Sequence, residues 1–398
     1  MQKLGGVQIL MKSVNYIIGD KNILNIPMQP CCEDVCSFLN EVSTRLMKSP
    51  KIREFTDLSA LAFWCRKANI QKLQEYCSKK NRLGRGLCFH IAPSNIPINS
   101  IFSYFFGILA GNSNIVRLSS KDFPQVDFVC DLINDVLKNH PEIKKRTAFV
   151  KYEHSNEISE EFSKKADCRM IWGGDKTIKL FKTFETKPRC IDITFPDRYS
   201  ICIIDAKKIN EASKDEMKTL AEKFYVDTYL MDQNACSSPQ LIYWINDNKE
   251  ARDKFWNYIY DYAQKKYPLQ DAVCVDKYTK LCEDAIMFDN VGTTSCRSNL
   301  LYRSELNSLE NVENIRGKGG YFYEFALDNY GELFKVITDK YQTITYFGID
   351  AKELRDNIIN HNLRGIDRIV PIGKAMDINS NWDGHDLIKE LSREVNLC

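Results

Sequence analysis

Histidine is scarce in this chain, with 5 among 398 residues, which leaves little from which to build a histidine-based metal centre. No Cys-x-x-Cys pair occurs. The densest cysteine cluster, Cys31-Cys32-Glu33-Asp34-Val35-Cys36, lacks zinc-site spacing and a neighbouring histidine, so it reads as the start of a helix and no metal site is expected. A Gly-x-Gly-x-x-Gly fingerprint is missing, and with it the ordinary dinucleotide motif. No apolar run reaches the roughly 18 residues that suggest a membrane helix. The amino terminus has no apolar core followed by a small-residue cleavage site, so no signal peptide is expected. Charge of one sign is not in excess: 55 basic residues face 53 acidic ones, for a net +2, without the block that marks a nucleic-acid arm. These absences argue against a membrane span and a nucleic-acid partner. Fifteen cysteines with no disulfide framework fit a reducing cytoplasm.

What is present is an ordinary globular composition, 44% hydrophobic and 27% charged, on a chain long enough for two domains. In the first eighty residues, Val7 to Leu10 and Val14 to Ile18 read as short strands, and Glu33 to Met47 and Ser59 to Lys79 as helices. From Gly84 a regular alternation begins. Apolar strands at Gly86 to Ala92, Asn114 to Leu118, Thr147 to Tyr152, Cys168 to Trp172 and Cys190 to Phe195 are separated by helical stretches. This is the pattern of a parallel sheet covered on both faces. A second α/β stretch starts at Tyr199, with a helix over Glu211 to Leu230, a strand at Gln240 to Ile245 and a helix at Lys249 to Lys266. Beyond it come a helix near Val275 to Glu283 and strands at Asn299 to Tyr302, Tyr321 to Leu327, Leu333 to Ile337 and Gln342 to Phe347. Asp386 to Val395 reads as helical. The division expected is a helical segment with a dinucleotide-binding domain over 1–195, a catalytic domain over 196–364, and a segment over 365–398 that packs back on the body.

Parallel sheets bind ligands beyond the carboxyl ends of their strands, and two turns there stand out. Gly173-Gly174 after Trp172 lets backbone N–H groups approach a phosphate at a helix start, though a glycine pair there also serves as a plain tight turn. Arg117 with Ser119 and Ser120 puts a guanidinium and two hydroxyls at a strand end, a fitting cradle for a ribose phosphate. The second lobe offers Asp232-Gln233-Asn234-Ala235-Cys236-Ser237-Ser238-Pro239, which places a cysteine on a turn between a helix and a strand. From these eight residues alone, Cys236 is either a small buried hydrophobe or a nucleophile whose thiolate is favoured by nearby N–H groups.

Taken together these motifs resemble the aldehyde dehydrogenase superfamily. Ala92-Pro93-Ser94-Asn95-Ile96-Pro97 is similar to its Pro-Trp-Asn-x-Pro turn, and Gly111 to Ser119 is similar to its Gly-Asn-x-x-x-x-Lys-Pro-Ser segment. Trp172-Gly173-Gly174 falls where the superfamily carries Thr-Gly-Ser. Within it, the segment around Cys236 resembles the nucleophile segment of LuxC-type acyl-CoA reductases. Gly365 to Gly373 with Trp382-Asp383-Gly384 resembles their carboxyl-terminal signature. The likeness runs over roughly residues 84–390. It implies an α/β fold with a parallel Rossmann-like cofactor domain and a second α/β catalytic domain.

The resemblance also implies roles. Cys236 would be the acylated nucleophile and Asn95 the side-chain donor to the oxyanion. Arg117, Ser119, Trp172, Gly173 and Gly174 would bind the cofactor. With Arg117 present and Ser120 where a carboxylate often stands, NADPH is favoured over NADH. Thr194 falls at the position of the Glu that activates water in oxidising relatives, and a threonine is no base near neutral pH. The expected activity is therefore reduction of an acyl-CoA or acyl-protein thioester to the aldehyde. The alternatives are a short-chain CoA-acylating aldehyde dehydrogenase and a catalytically silent partner in an acyl-transfer complex. An acyl-protein synthetase partner and a homo-oligomeric assembly belong to the same implication.

Overall fold

The computed structural model describes residues 14–78, 81–93 and 95–397. The strand expected at Val7 to Leu10 lies outside them. The chain divides into two compact units, one bounded by Met1–Pro196 with His385–Cys398 and the other by Asp197–Gly384. Of the carboxyl-terminal segment, 365–384 thus belong to the second unit and 385–398 to the first.

The first unit is built on a six-stranded sheet. Its order is Asn15–Ile18, Thr147–Lys151, Ser113–Arg117, Leu87–Ile91, Cys168–Trp172, Ile191–Phe195, antiparallel only at the first pair. The strand met first in the alternating stretch, Leu87–Ile91, sits mid-sheet, and the order grows outward from it on both sides. Such doubly wound sheets open a crevice where the growth reverses, here between the carboxyl ends of Leu87–Ile91 and Cys168–Trp172. The helix Asn99–Leu109 is apolar all round and buried from Ser100 to Leu109, as expected of a helix inside a core. Trp64 packs against its Phe102, Phe105 and Phe106.

The single helix expected over Ser59 to Lys79 is two, Thr56–Trp64 and Lys67–Ser78. At the carboxyl terminus the expected helix is only Leu387–Glu390, and Ser392–Glu394 pairs instead with Arg82–Gly84. The Arg82 guanidinium gathers the Ser392 hydroxyl and the carbonyls of Ser392 and Lys389, so a long-range partner overrides the local helical tendency.

The second unit carries seven strands in the order Val291–Arg297, Leu301–Leu306, Tyr321–Leu327, Pro239–Ile245, Tyr199–Asp205, Tyr341–Phe347, Arg368–Pro371, again antiparallel only at the first pair. One face is a cluster built on Phe224, Trp244, Phe255, Trp256 and Phe322, the other on Tyr199, Tyr243, Tyr321, Tyr323 and Tyr341. The stretch expected as a strand over Leu333 to Ile337 is the end of a helix, Tyr330–Val336, started by the Asn329 side chain accepting from the Gly331 N–H. Among the described residues no helix is long and apolar enough to cross a membrane.

Candidate functional site

The two catalytic candidates lie in different units, and each is taken within its own. Cys236 follows the helix Lys214–Asp227 and the short 3-10 turn Tyr229–Met231, on the loop that feeds the strand Pro239–Ile245. It therefore stands at the amino-terminal edge of a parallel sheet. Asp232 and Gln233 take consecutive left-handed conformations (φ 51° and 56°), which double the chain back and turn the following residues toward that edge.

Backbone this irregular needs its hydrogen bonds replaced, and two glutamines supply them. Gln233, 2% exposed, accepts at Oε1 from the N–H groups of Gly320 (2.8 Å) and Tyr321 (3.1 Å). It donates from Nε2 to the carbonyls of Tyr321 (3.1 Å) and Pro239 (3.4 Å). Gln240 donates to the Gln233 carbonyl (3.1 Å) and accepts from the Gly317 N–H (3.0 Å). The Ser200 hydroxyl donates to the Cys236 carbonyl at 2.6 Å. Neither glutamine stands out in the sequence reading. The only signal available is an amide-rich run on both sides of the cysteine.

The sulfur is half-buried and has one amide neighbour: Gln342 Nε2 lies 3.4 Å from Cys236 Sγ and also donates to Asp383 Oδ1. Burial pushes the thiol up to about 11. The Asp383 carboxylate adds to that rise, while the Gln342 amide, Arg198 and the residue's own N–H oppose it. The arrangement holds a protonated thiol in a fixed place.

Thr194 is half-buried on the strand Ile191–Phe195. The carboxylates nearest it in sequence are both engaged: Asp192 takes a two-pronged contact from Arg169 (2.7 and 2.7 Å), and Asp197 one from Arg316 (2.8 and 3.0 Å).

In the first unit the nucleotide candidates gather at the carboxyl ends of the strands. Trp172 ends its strand buried, stacks on Phe195 (centroids 3.6 Å, planes 8° apart) and donates from Nε1 to the Ser103 hydroxyl at 3.0 Å. Gly173 donates to the Phe195 carbonyl at 3.3 Å, and Gly174 is the cap of the helix Asp175–Thr183. Glycine at the cap brings no side chain to the first-turn N–H groups, although its carbonyl accepts from the Thr177 N–H at 2.8 Å.

Ser119, with Pro93, Pro97, Lys121, Asp127 and Lys151, lines a small, shallow cleft within this unit. Lys151 is held by Asp122 (2.9 Å) and Asp127 (3.6 Å). The Arg117 guanidinium carbon lies 4.5 Å over the Tyr152 ring. Asn95 is exposed on the turn between the strand Leu87–Ile91 and the helix Asn99–Leu109.

Among the described residues no group of three or more His, Cys, Asp or Glu side chains converges on a point that could hold a metal ion. The cysteines around 31–36 sit at the start of the helix Glu33–Lys48, with Cys31 Sγ 2.7 Å from Cys77 Sγ.

A family model described as acyl-CoA reductase (LuxC) matches residues 68–277, more than half of the chain. The long-chain acyl-protein thioester reductase of Aliivibrio fischeri is 30% identical over 167 residues, 41% of this chain and 33% of that protein. The protein of the same description from Vibrio harveyi is 25% identical over 324 residues, 78% of this chain and 63% of its own length. The matched stretches thus span from a third to under two thirds of these relatives.

Among solved structures, an NAD-dependent benzaldehyde dehydrogenase from Corynebacterium glutamicum superposes with a TM-score of 0.63 at 10% identity, over 92% of this chain and 84% of that one. A 1-pyrroline-5-carboxylate dehydrogenase from Thermus with bound NAD gives 0.63 at 11%, over 90% and 77%. At such identities the likeness is one of fold: an aldehyde dehydrogenase-like α/β architecture.

Proposed function

The chain belongs to the acyl-CoA reductase (LuxC) family, and from that premise we propose that it reduces a long-chain acyl thioester to the aldehyde through an acyl-cysteine on Cys236, with NADPH as reductant. The acyl group arrives on CoA or on a protein. The observation that carries the reading is the thiol itself, half-buried on a turn that two glutamines hold in place, with an amide N–H aimed at its sulfur.

The Cys236 sulfur bonds to the thioester carbonyl carbon and the carbonyl pair moves to oxygen. The intermediate collapses, the bond from carbon to the donor sulfur breaks, and the departing thiol takes the proton that Cys236 gave up. At the oxyanion the resemblance assigns the Asn95 amide and the Cys236 backbone N–H. Loss of one such donor in a comparable site costs roughly 2.7–4 kcal/mol. A bound nicotinamide supplies the hydride to the acyl carbon. Cys236 then leaves the resulting thiohemiacetal as a thiolate and the aldehyde is released. Thr194 cannot activate water, and Asp192 and Asp197 are tied to arginines, which favours an acyl-enzyme that outlives hydrolysis.

The first unit suits a dinucleotide. Its glycine pair opens a helix beside the crevice, and Ser119 and Lys121 line the neighbouring cleft. Preference for NADPH rests on Arg117 and Lys121, because Lys151 is already matched by Asp122 and Asp127. A cytoplasmic setting, an acyl-protein synthetase as donor partner and a homo-oligomer complete the reading.

The test is incubation with acyl-CoAs of graded length and either NADPH or NADH, following cofactor oxidation. Turnover is expected with long chains and NADPH. Intact mass after acyl-CoA alone should rise by one acyl group in the wild type and not in Cys236→Ala. Asn95→Ala should slow acylation and leave cofactor affinity nearly unchanged. Turnover confined to short chains would move the assignment to a CoA-acylating aldehyde dehydrogenase. No turnover and no acylation would leave a silent partner.

A further inference from the structure

The carboxyl-terminal signature has no task in the scheme above, yet its residues converge beneath Cys236. Asp367 takes the Arg198 guanidinium. Arg368 holds the carbonyls of Ala375 (3.1 Å) and Asp377 (3.0 Å) and lies 4.7 Å over the Trp382 ring. The N–H groups of Gly373 and Ala375 donate to the buried Asp227 carboxylate at 2.6 and 3.0 Å. The loop so anchored delivers Asp383, 7% exposed and left-handed at φ 50°, to the Gln342 amide.

That contact fixes which way the amide points. An ionised carboxylate only accepts, so Asp383 requires an N–H from Gln342, which turns Oε1 away from it toward the Ser200 hydroxyl. The second N–H of the same nitrogen then points at the cysteine sulfur, 3.4 Å away. Gln342 is fully buried. Other charged groups face the thiol too: Arg198 from the start of the strand Tyr199–Asp205, Arg368 from the strand Arg368–Pro371, and Asp383 itself. Among them Gln342 is the group within hydrogen-bond distance of the sulfur.

We propose that Gln342 is the side chain that stabilises the Cys236 thiolate, and that Asp383, from the Trp382-Asp383-Gly384 signature, is the positioning residue that keeps its amide donating. This rests on the reading of Cys236 as the nucleophile. A hydrogen bond to an ionised acceptor is worth more than one to a neutral thiol, so the contact favours the reactive form rather than both forms equally.

The experiment is alkylation by iodoacetamide at pH 8, followed on the Cys236 peptide by mass spectrometry. Gln342→Met, of similar length but without an N–H, should react about tenfold more slowly. Asp383 acts by position as well as by charge, and two substitutions separate the two. Asp383→Asn keeps a carbonyl acceptor for Gln342 while removing the negative charge, and should react as fast as the wild type or faster. Asp383→Leu removes both and should be several-fold slower. Combining it with Gln342→Met should add less than about twofold.

If Asp383→Asn and Asp383→Leu both accelerate, Asp383 acts by charge alone and the proposal falls. It falls equally if Gln342→Met reacts like the wild type. Should Gln342→Met not fold, the Asp383 pair decides by itself. Alkylation needs no acyl donor, so failure of every thioester to react would overturn the reductase reading without touching this result, and the reverse holds as well.

Discussion

Two turns, one in each unit, are built in opposite ways. Gly173-Gly174 lies at the carboxyl end of its strand, where the Gly173 N–H donates to the Phe195 carbonyl and no side chain caps the helix that follows. The cysteine turn lies at the amino end of its strand and presents a half-buried thiol. Gln233, Gln240, Ser200 and Gln342 surround it with side-chain hydrogen bonds. The first turn has no side-chain cap, whereas the second has its backbone polarity satisfied by side chains. Both strategies produce a fixed geometry, and both depend on residues far away in sequence: Ser103 beneath Trp172 in the first, Gly320 and Tyr321 around Gln233 in the second.

The strongest test of that contrast is Gln233→Leu. It strands the N–H groups of Gly320 and Tyr321 and the carbonyls of Tyr321 and Pro239 at a site 2% exposed. At about 1–3 kcal/mol for each unpaired buried group, with partial relaxation, the second unit should lose about 4 kcal/mol in urea unfolding. Gln240→Leu, which strands two groups, should lose about half as much. If Gln233→Leu costs less than about 1 kcal/mol, the turn is held by packing and the contrast is wrong.

A smaller effect sharpens the other side. The glycine turn is anchored from beneath by Trp172, and that anchor ends in a titratable group. Trp172 donates to the Ser103 hydroxyl, which lies 2.8 Å from His90 Nδ1, while Nε2 lies 2.9 Å from Asn114 Oδ1. The Asn114 amide donates from Nδ2 to the Asn112 carbonyl, so its oxygen faces the ring and Nε2 carries the proton. Nδ1 is then the acceptor, and protonating it would break the chain.

Burial pushes His90 down to about 4 from its ordinary 6.5. The unfolded chain therefore takes up the proton first, so the stabilising share is complete above about pH 6.5 and is lost as pH falls toward 4. Unfolding free energy should drop by about 3 kcal/mol over that window beyond the drop seen in His90→Gln. Parallel curves for the two proteins would remove His90 from the account.

The sequence carried the alternation of Leu87 to Phe195 plainly, because fully buried parallel strands are near-continuous apolar runs separated by helices. Cys236 drew attention for a different reason, the resemblance of its octapeptide to a known nucleophile segment. Gln233 stands in that same octapeptide, but its partners are at Pro239, Gly320 and Tyr321, and no local pattern announces a contact across eighty residues.

Two elements show where periodicity misleads. The edge strand Val291–Arg297 is half polar and mostly exposed, so it leaves no apolar run to find. The helix Asp271–Met287 is recognisable as a helix, but its apolar side chains do not mark its buried face. Val275 and Ile286 are 64% and 82% exposed, while Lys277 and Asp284 are buried. Lys277 donates to the carbonyls of Asn299 and Gly319, and Asp284 accepts from the hydroxyls of Tyr321 and Tyr323. Hydrogen-bond demand at strand ends placed that helix, and hydropathy does not record such demand.

The smallest expected change in stability is the sharpest for function. A Cβ at Gly174 meets nothing within 4 Å, whereas at Gly173 it meets Cβ and Cγ2 of Thr177 at 3.1 Å. Gly174→Ala should therefore leave the unfolding free energy within about 0.5 kcal/mol of the wild type. Gly173→Ala must push Thr177 aside by a few tenths of an ångström. The space at Gly174 is thus not needed by the fold. If backbone N–H groups there cradle the cofactor phosphates, a methyl group stands where the phosphate approaches, and NADPH should bind at least tenfold more weakly to Gly174→Ala with Tm unchanged. Fluorescence titration of the two variants measures this without any acyl donor. Undiminished affinity in Gly174→Ala would mean that the bare turn faces solvent, and that the phosphates lie instead toward Ser119 and Lys121.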